Sequence, residues 1–173
     1  MLVGRRDLAA LLGVGSLAFA STVAGASAST SSDLLQRNKD IIRAKYARLN
    51  AGDVPGYLRF YTKDVSNFGR VVGPAGIERI VRDILTTFPD WTMTVREMAA
   101  ERDFVVARLV ASGTHRGVAQ TRANGGLLQG VAPTGKKFAV EHIHWYQLRD
   151  GKVAAHTAVR DDLGMMVQLG LVH

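Results

Sequence analysis

Residues 137–161 read KFAVEHIHWYQLRDGKVAAHTAVRD. Two runs in which apolar and polar side chains alternate flank Arg149-Asp150-Gly151, a turn whose glycine accepts a left-handed backbone. The stretch therefore reads as two long antiparallel strands with one face turned inward. Alternation places His142, His144 and Tyr146 on a shared face. A three-residue turn pairs Leu148 with Lys152, setting His144 opposite His156 and His142 opposite Ala158. A two-residue turn instead sets His144 opposite Thr157. The late position of Asp-Gly in the loop favours the first register, which gathers His142, His144, Tyr146, His156 and Arg160 on one face.

Upstream, Trp91 to Ala100 and Phe104 to His115 carry the same alternation around an Arg102-Asp103 turn, and a glycine-rich loop from Arg116 to Thr134 leads into the hairpin. Before Trp91 the period is helical. Asp33 is placed to cap a helix with apolar Leu34, Leu35, Ile41, Ile42, Tyr46 and Leu49, stopped by Gly52. Asp53 opens a short helix, Pro55 to Tyr61, with its proline in the first turn. An extended piece, Val65 to Arg70, precedes a helix that restarts at Gly73-Pro74 and ends at Phe88-Pro89-Asp90. A closing helix is expected over Leu163 to Leu169, capped by Asp162. Helices first and a meandering sheet afterwards define an α+β fold. Its expected shape is a cone-shaped barrel, in which a curved antiparallel sheet of four main strands packs on three N-terminal helices around an internal cavity.

The 173 residues are 47% hydrophobic and contain no cysteine, which excludes a disordered chain, a disulfide scaffold and thiolate chemistry. Residues 1–28 have a basic start, an apolar run from Leu8 to Ala20 and a small-residue end at Ala26-Ser27-Ala28. This is the pattern of an export signal cleaved after Ala28. The Arg5-Arg6 pair suggests the twin-arginine route. The expected organisation is a signal over 1–28, a linker and helix start over 29–37, and one domain over 38–173, exported to the periplasm or outside the cell. The net charge of +7 has no aromatic-interleaved basic stripe, and Arg37, Lys39, Arg43, Lys45 and Arg48 decorate the first helix, so solvated helix faces are favoured over a nucleic-acid partner. No stable membrane insertion is expected once the signal is removed.

Three imidazoles, a phenol and a guanidinium on one face make a poor apolar core and suit a polar pocket that moves protons near neutral pH. A three-histidine metal site is conceivable, but Glu141 points to the other face and no acidic partner supports the ligands, so no metal is expected. Asp161 either pairs with Arg160 or points into the cavity. His115 ends a strand at the mouth of the long loop. No nucleophile elbow, phosphate loop or dinucleotide fingerprint is present.

The motifs Asn50-Ala-Gly-Asp53, Phe88-Pro-Asp-Trp91, Gly113-Thr-His-Arg-Gly117, Ala132-Pro-Thr-Gly-Lys136, Arg149-Asp-Gly-Lys152 and Asp161-Asp-Leu-Gly164 resemble, in order and spacing, the SnoaL-like polyketide cyclases, or ester cyclases. That family belongs to the nuclear-transport-factor-2-like superfamily. The resemblance covers about residues 38 to 170. It implies a cofactor-free intramolecular aldol ring closure on a small hydrophobic polyketide-like carbonyl compound. The family's cavity histidine falls on His144, but its acid–base aspartate falls on Ala158 and a further histidine on Phe68, beside Asn67. The expected catalytic groups are therefore His144, His156, Arg160 and Asp161. Ligand contacts are expected from Asn67, Phe68, Trp91 and His115, and from His142, Tyr146 and Ala158 of the hairpin. The other reading is an exported binding protein that kept the cavity and lost the chemistry. A homodimer through the outer sheet face, at Ile143, Trp145 and Val159, is also expected.

Overall fold

In a computed structural model of the chain, residues 21–122 and 126–172 are described, with side chains from residue 31 onward. The elements run α1 (Ser21–Asn50), α2 (Val54–Leu58), β1 (Tyr61–Asn67), β2 (Arg70–Val71), α3 (Gly73–Thr87), β3 (Thr92–Glu101), β4 (Phe104–Thr114), β5 (Lys137–Arg149), β6 (Lys152–Arg160) and α4 (Asp162–Gln168). Residues 1–20 of the signal-like segment, including Arg5-Arg6, lie outside the described residues. Residues 29–37 continue α1 and form no separate linker, so Asp33 lies inside the helix and caps nothing.

The helix α1 buries one stripe, Asn38, Ile42, Lys45, Tyr46 and Leu49, at the spacing of a helix face. The next helix starts where expected, because the Asp53 carboxylate accepts a 2.8 Å hydrogen bond from the Gly56 amide. It ends earlier than expected, and Tyr61 opens β1.

Six strands, two more than expected, form a curved, unclosed sheet in the order β2-β1-β6-β5-β4-β3. The extra pair is β1 and β2. The first runs parallel to β6 and turns into β2 through Phe68 and Gly69, both at positive φ. A phenylalanine at φ 49° is a strained choice. The burial alternation of β4 and β5 turns Val105, Ala107, Leu109 and Ala111, then Val140, His142, His144 and Tyr146, toward the helices. The outer face leaves Ile143 at 49%, Trp145 at 47% and Val159 at 75% exposure.

Neither expected register of the last hairpin holds. The turn is the two-residue type, with Asp150 and Gly151 both at positive φ and Arg149 paired with Lys152. A bulge between Val153 and Ala155 then adds one residue to β6, so that Tyr146 faces His156, His144 faces Ala158 and His142 faces Arg160. The tight turn alone would have put the β6 histidine on the wrong face. The bulge returns it, so the expected set of inward residues is right although every cross-strand partner beyond the bulge is displaced by two.

Candidate active site

A cavity of about 500 Å³ lies between the inner sheet face and the helices. Leu49, Ile77, Ile80, Val81 and Ile84 form its helical wall, Trp91 and Met93 one end, and the strands β5 and β6 its polar side. Among the described residues no aspartate or glutamate lines it. An apolar cavity of this volume with a few convergent polar groups suits a small-molecule ligand.

The histidines are joined in one chain whose proton positions follow from its anchored end. His156 Nδ1 lies 2.7 Å from the Asn67 side-chain oxygen, which only accepts, so Nδ1 carries the proton. The lone pair of neutral His156 is then at Nε2, 3.0 Å from His144 Nδ1, which must donate to it. His144 Nε2 in turn accepts from His142 Nδ1 at 3.3 Å, with the two rings stacked. The last lone pair, on His142 Nε2, is left over as a proton acceptor. Burial first, and then nearby positive charge, keeps the three rings neutral. His142 is lowered to about 4 with Arg160 as the second cause, and His156 to about 3 with Lys45 and Arg160 contributing. His144 falls well below its ordinary value by burial and by its two histidine neighbours.

Beside the histidines stands a group of four tyrosines. The hydroxyls of Tyr46 and Tyr146 hydrogen-bond each other and approach His144 Nδ1 at 3.1 and 3.0 Å. Tyr61 donates to Tyr57 at 2.5 Å. Lys45, only 1% exposed, donates to Tyr146 at 3.4 Å and Tyr61 at 3.5 Å, and its ammonium sits 3.9 Å from the Tyr46 ring centre and 4.6 Å from that of Tyr146. Burial lowers the Lys45 pKa and raises those of the phenols, Tyr57 to about 12. Lys45, expected on a solvated face of α1 with the other basic residues, is instead buried. Its position three residues after Ile42 and four before Leu49, within the apolar stripe, was the available signal.

Of the eleven expected site residues, nine line the cavity: Asn67, Phe68, Trp91, His142, His144, Tyr146, His156, Ala158 and Arg160. Two do not. Asp161, expected to be catalytic, caps α4 by accepting from the Gly164 amide at 2.7 Å, the task assigned to Asp162, while Asp162 pairs with Arg160 at 2.9 Å. His115, expected to contact ligand, is buried behind Phe88, and its Nδ1 accepts from the Thr134 amide at 3.3 Å. It fastens the end of the long loop. The start of that loop is held by Asp83, whose carboxylate accepts from the Gln120 amide and the Thr121 hydroxyl, both at 2.7 Å, bringing Thr121 and Arg122 to the cavity wall. Among the described residues no group of three His, Asp or Glu side chains is arranged to hold a metal ion, and no helix is long and apolar enough to cross a membrane.

Neutral histidines in the fold make stability depend on pH with a definite sign. The unfolded chain takes up protons near pH 6.5, whereas folded His142 and His156 resist until about 4 and about 3. Their contribution is thus complete above pH 6.5 and is lost as pH falls through that window. For His142 alone the loss is on the order of 3 kcal/mol. Chemical denaturation at pH 7.5 and pH 4.5 should show the lower stability at pH 4.5, and a His142→Gln variant should flatten part of that slope.

A curved, unclosed, mostly antiparallel sheet packed on helices around a ligand-sized cavity is the nuclear-transport-factor-2-like fold. The chain belongs to the SnoaL-like polyketide cyclase family, whose model matches residues 39–169. Among solved structures it is similar to IdmH of Streptomyces antibioticus, a candidate polyketide cyclase, at 26% identity and a TM-score of 0.64, covering 77% of this chain and 98% of that one. It is also similar to AclR of Streptomyces galilaeus, a candidate hydroxylase, at 25% identity and 0.67, covering 80% and 99%. TerC, crystallised with polyporic acid, shares the fold at 20% identity and 0.59, covering 78% and 98%. Comparison with the curated proteins finds no match.

Proposed function

We propose that the protein is a cofactor-free acid–base catalyst that enolises a small, apolar, polyketide-like carbonyl compound and closes a ring by intramolecular aldol addition. The supporting observation is the directed chain Asn67–His156–His144–His142, which leaves a lone pair on His142 Nε2 beside an apolar cavity. In the reaction His142 Nε2 takes a proton from a carbon flanked by carbonyls, and the C–H electron pair moves to an enolate oxygen. The enolate carbon then bonds to a second carbonyl carbon, whose oxygen receives the proton from the histidine. The base returns to its starting state, so the ring closure needs no external reagent. As the proton arrives, His144 Nε2 accepts more strongly from His142 Nδ1, and the chain spreads the charge over three rings. Arg160, facing His142 across the strands, opposes full protonation and favours early return of the proton.

Ala158 supports a second reading, a binding protein without turnover, because a methyl group stands opposite His144 where the family resemblance implies an acid–base aspartate. Incubation with an apolar cyclic β-keto ester in D₂O separates the two. Catalysis predicts deuterium incorporation at the central carbon well above the buffer rate, followed by mass spectrometry. Binding with no excess exchange for any of a panel of such esters would sink the catalytic reading.

A further inference from the structure

Lys45 has no carboxylate partner among its described contacts. A buried ammonium without a counter-ion is a cost to the fold, met here by two phenol oxygens and tyrosine ring faces. The proton count beside it is equally unusual. Since His144 Nδ1 already carries a proton and gives it to His156, it accepts nothing from the nearby phenols. Tyr146 takes a hydrogen bond from Lys45 on its oxygen. Tyr46 and Tyr146 hold two phenolic protons and share one hydrogen bond between them. One proton is therefore left over, on rings that line the cavity.

We propose that Lys45 and the Tyr46–Tyr146 pair form an oxyanion-binding site, and that the natural ligand presents to it an enolate- or phenolate-type oxygen carried on an apolar skeleton. The leftover phenolic proton supplies the direct hydrogen bond, and Lys45, one phenol removed, supplies the counter-charge. Lys45 thus acts as a positioning residue, aligning and polarising Tyr146 without touching ligand. The arrangement is complementary to the histidine chain: one end of the polar wall offers a lone pair and the other a proton. The inference rests on the cavity being the ligand site of the proposed function, but not on turnover.

A naphthol acidified by a ring nitro group to a pKa near neutrality tests it, since its anion absorbs at longer wavelength than its neutral form. The groups facing the oxyanion position are Tyr46, Tyr57, Tyr61, Tyr146, His144, His156 and Lys45. Above pH 5.5 the phenols stay protonated and the histidines neutral, so the absorbance change reads the bound naphthol together with the Lys45 proton that its anion retains. The expected midpoint in the wild-type protein is about one to three units below that in buffer. Lys45→Met, close in volume and uncharged, should return it toward the buffer value while the naphthol methyl ether keeps its affinity. Tyr46→Phe provides the second arm if Lys45→Met does not fold. Failure of the naphthol to bind, an unshifted or raised midpoint, or a wild-type shift in both variants would overturn the proposal. Absence of deuterium exchange with the midpoint still lowered would reject the catalytic reading and leave the oxyanion site standing.

Discussion

Replacement of His144 by alanine is expected to slow deuterium exchange by about 10²–10⁴-fold, the range contributed by a positioned acid–base group. His144 is the only ring that touches both other histidines, so its removal severs His142 from the end of the chain that fixes its tautomer. His142 Nδ1 then loses its acceptor and is free to exchange protonated faces with water. His142 and His156 are also each left short of a hydrogen bond, at a cost of about 1–3 kcal/mol apiece if water does not replace it. A lower melting temperature is therefore expected as well. His144→Asn separates the two effects, since the amide nitrogen replaces the Nδ1 donor toward His156 but cannot accept from His142 as a ring nitrogen does. The asparagine variant should recover most of the stability and little of the exchange. Full exchange in His144→Ala would remove the histidine chain from the mechanism, and loss of binding in proportion to exchange would assign the residue to ligand affinity alone.

The second large effect is expected from Ala158→Asp. Position 158 faces His144 across the strands and lines the cavity, to which no carboxylate is contributed among the described residues. An aspartate there adds a negative charge among neutral rings that are held neutral by burial and by the positive charges of Lys45 and Arg160. A neighbouring carboxylate raises a histidine pKa by about one to three units. The acid limb of the exchange profile should move toward neutral pH by that amount. Exchange above the limb should rise, because a stronger base then faces the same carbon acid. An acid limb at its wild-type position, with the variant folded, would show that the methyl at 158 is not what limits the chemistry. The same substitution lowers stability if the carboxylate remains buried without a partner, so melting curves belong beside the rates.

Most of the architecture could be read from period and punctuation. The helical stripes, the alternating strands and the turns at Arg102-Asp103 and Asp150-Gly151 are local signals, and local signals survive without knowledge of the fold. The strands β1 and β2 were read only as an extended piece, because a short strand that pairs in parallel with β6 depends on a contact about ninety residues away. The cavity's imidazole face was legible from parity alone. Its hydrogen-bond partners were not, since the bulge in β6 has no glycine or proline to mark it. Asp161 and Asp162 exchanged expected tasks because either residue of an Asp-Asp pair can begin a helix, and the choice lies in how β6 delivers the chain. Lys45 was missed for a different reason. Charge was taken as evidence of exposure, although its place in the apolar stripe said otherwise.

The extra residue in β6 makes the hairpin intolerant of change in an uncommon way. Surface hairpins usually absorb the gain or loss of a residue at their tips with little consequence. Here the numbers of residues in turn and bulge are coupled by parity. A single insertion or deletion between Arg149 and Ala155, if the strands kept their other pairings, would turn Thr157 and Val159 inward and send His156, Ala158 and Arg160 to solvent. A deletion of two would restore the face but slide His156 along its neighbour by roughly 7 Å, to a position opposite Leu148 and away from His144. Homologous chains that conserve this chemistry should therefore keep the length of this segment more strictly than its sequence.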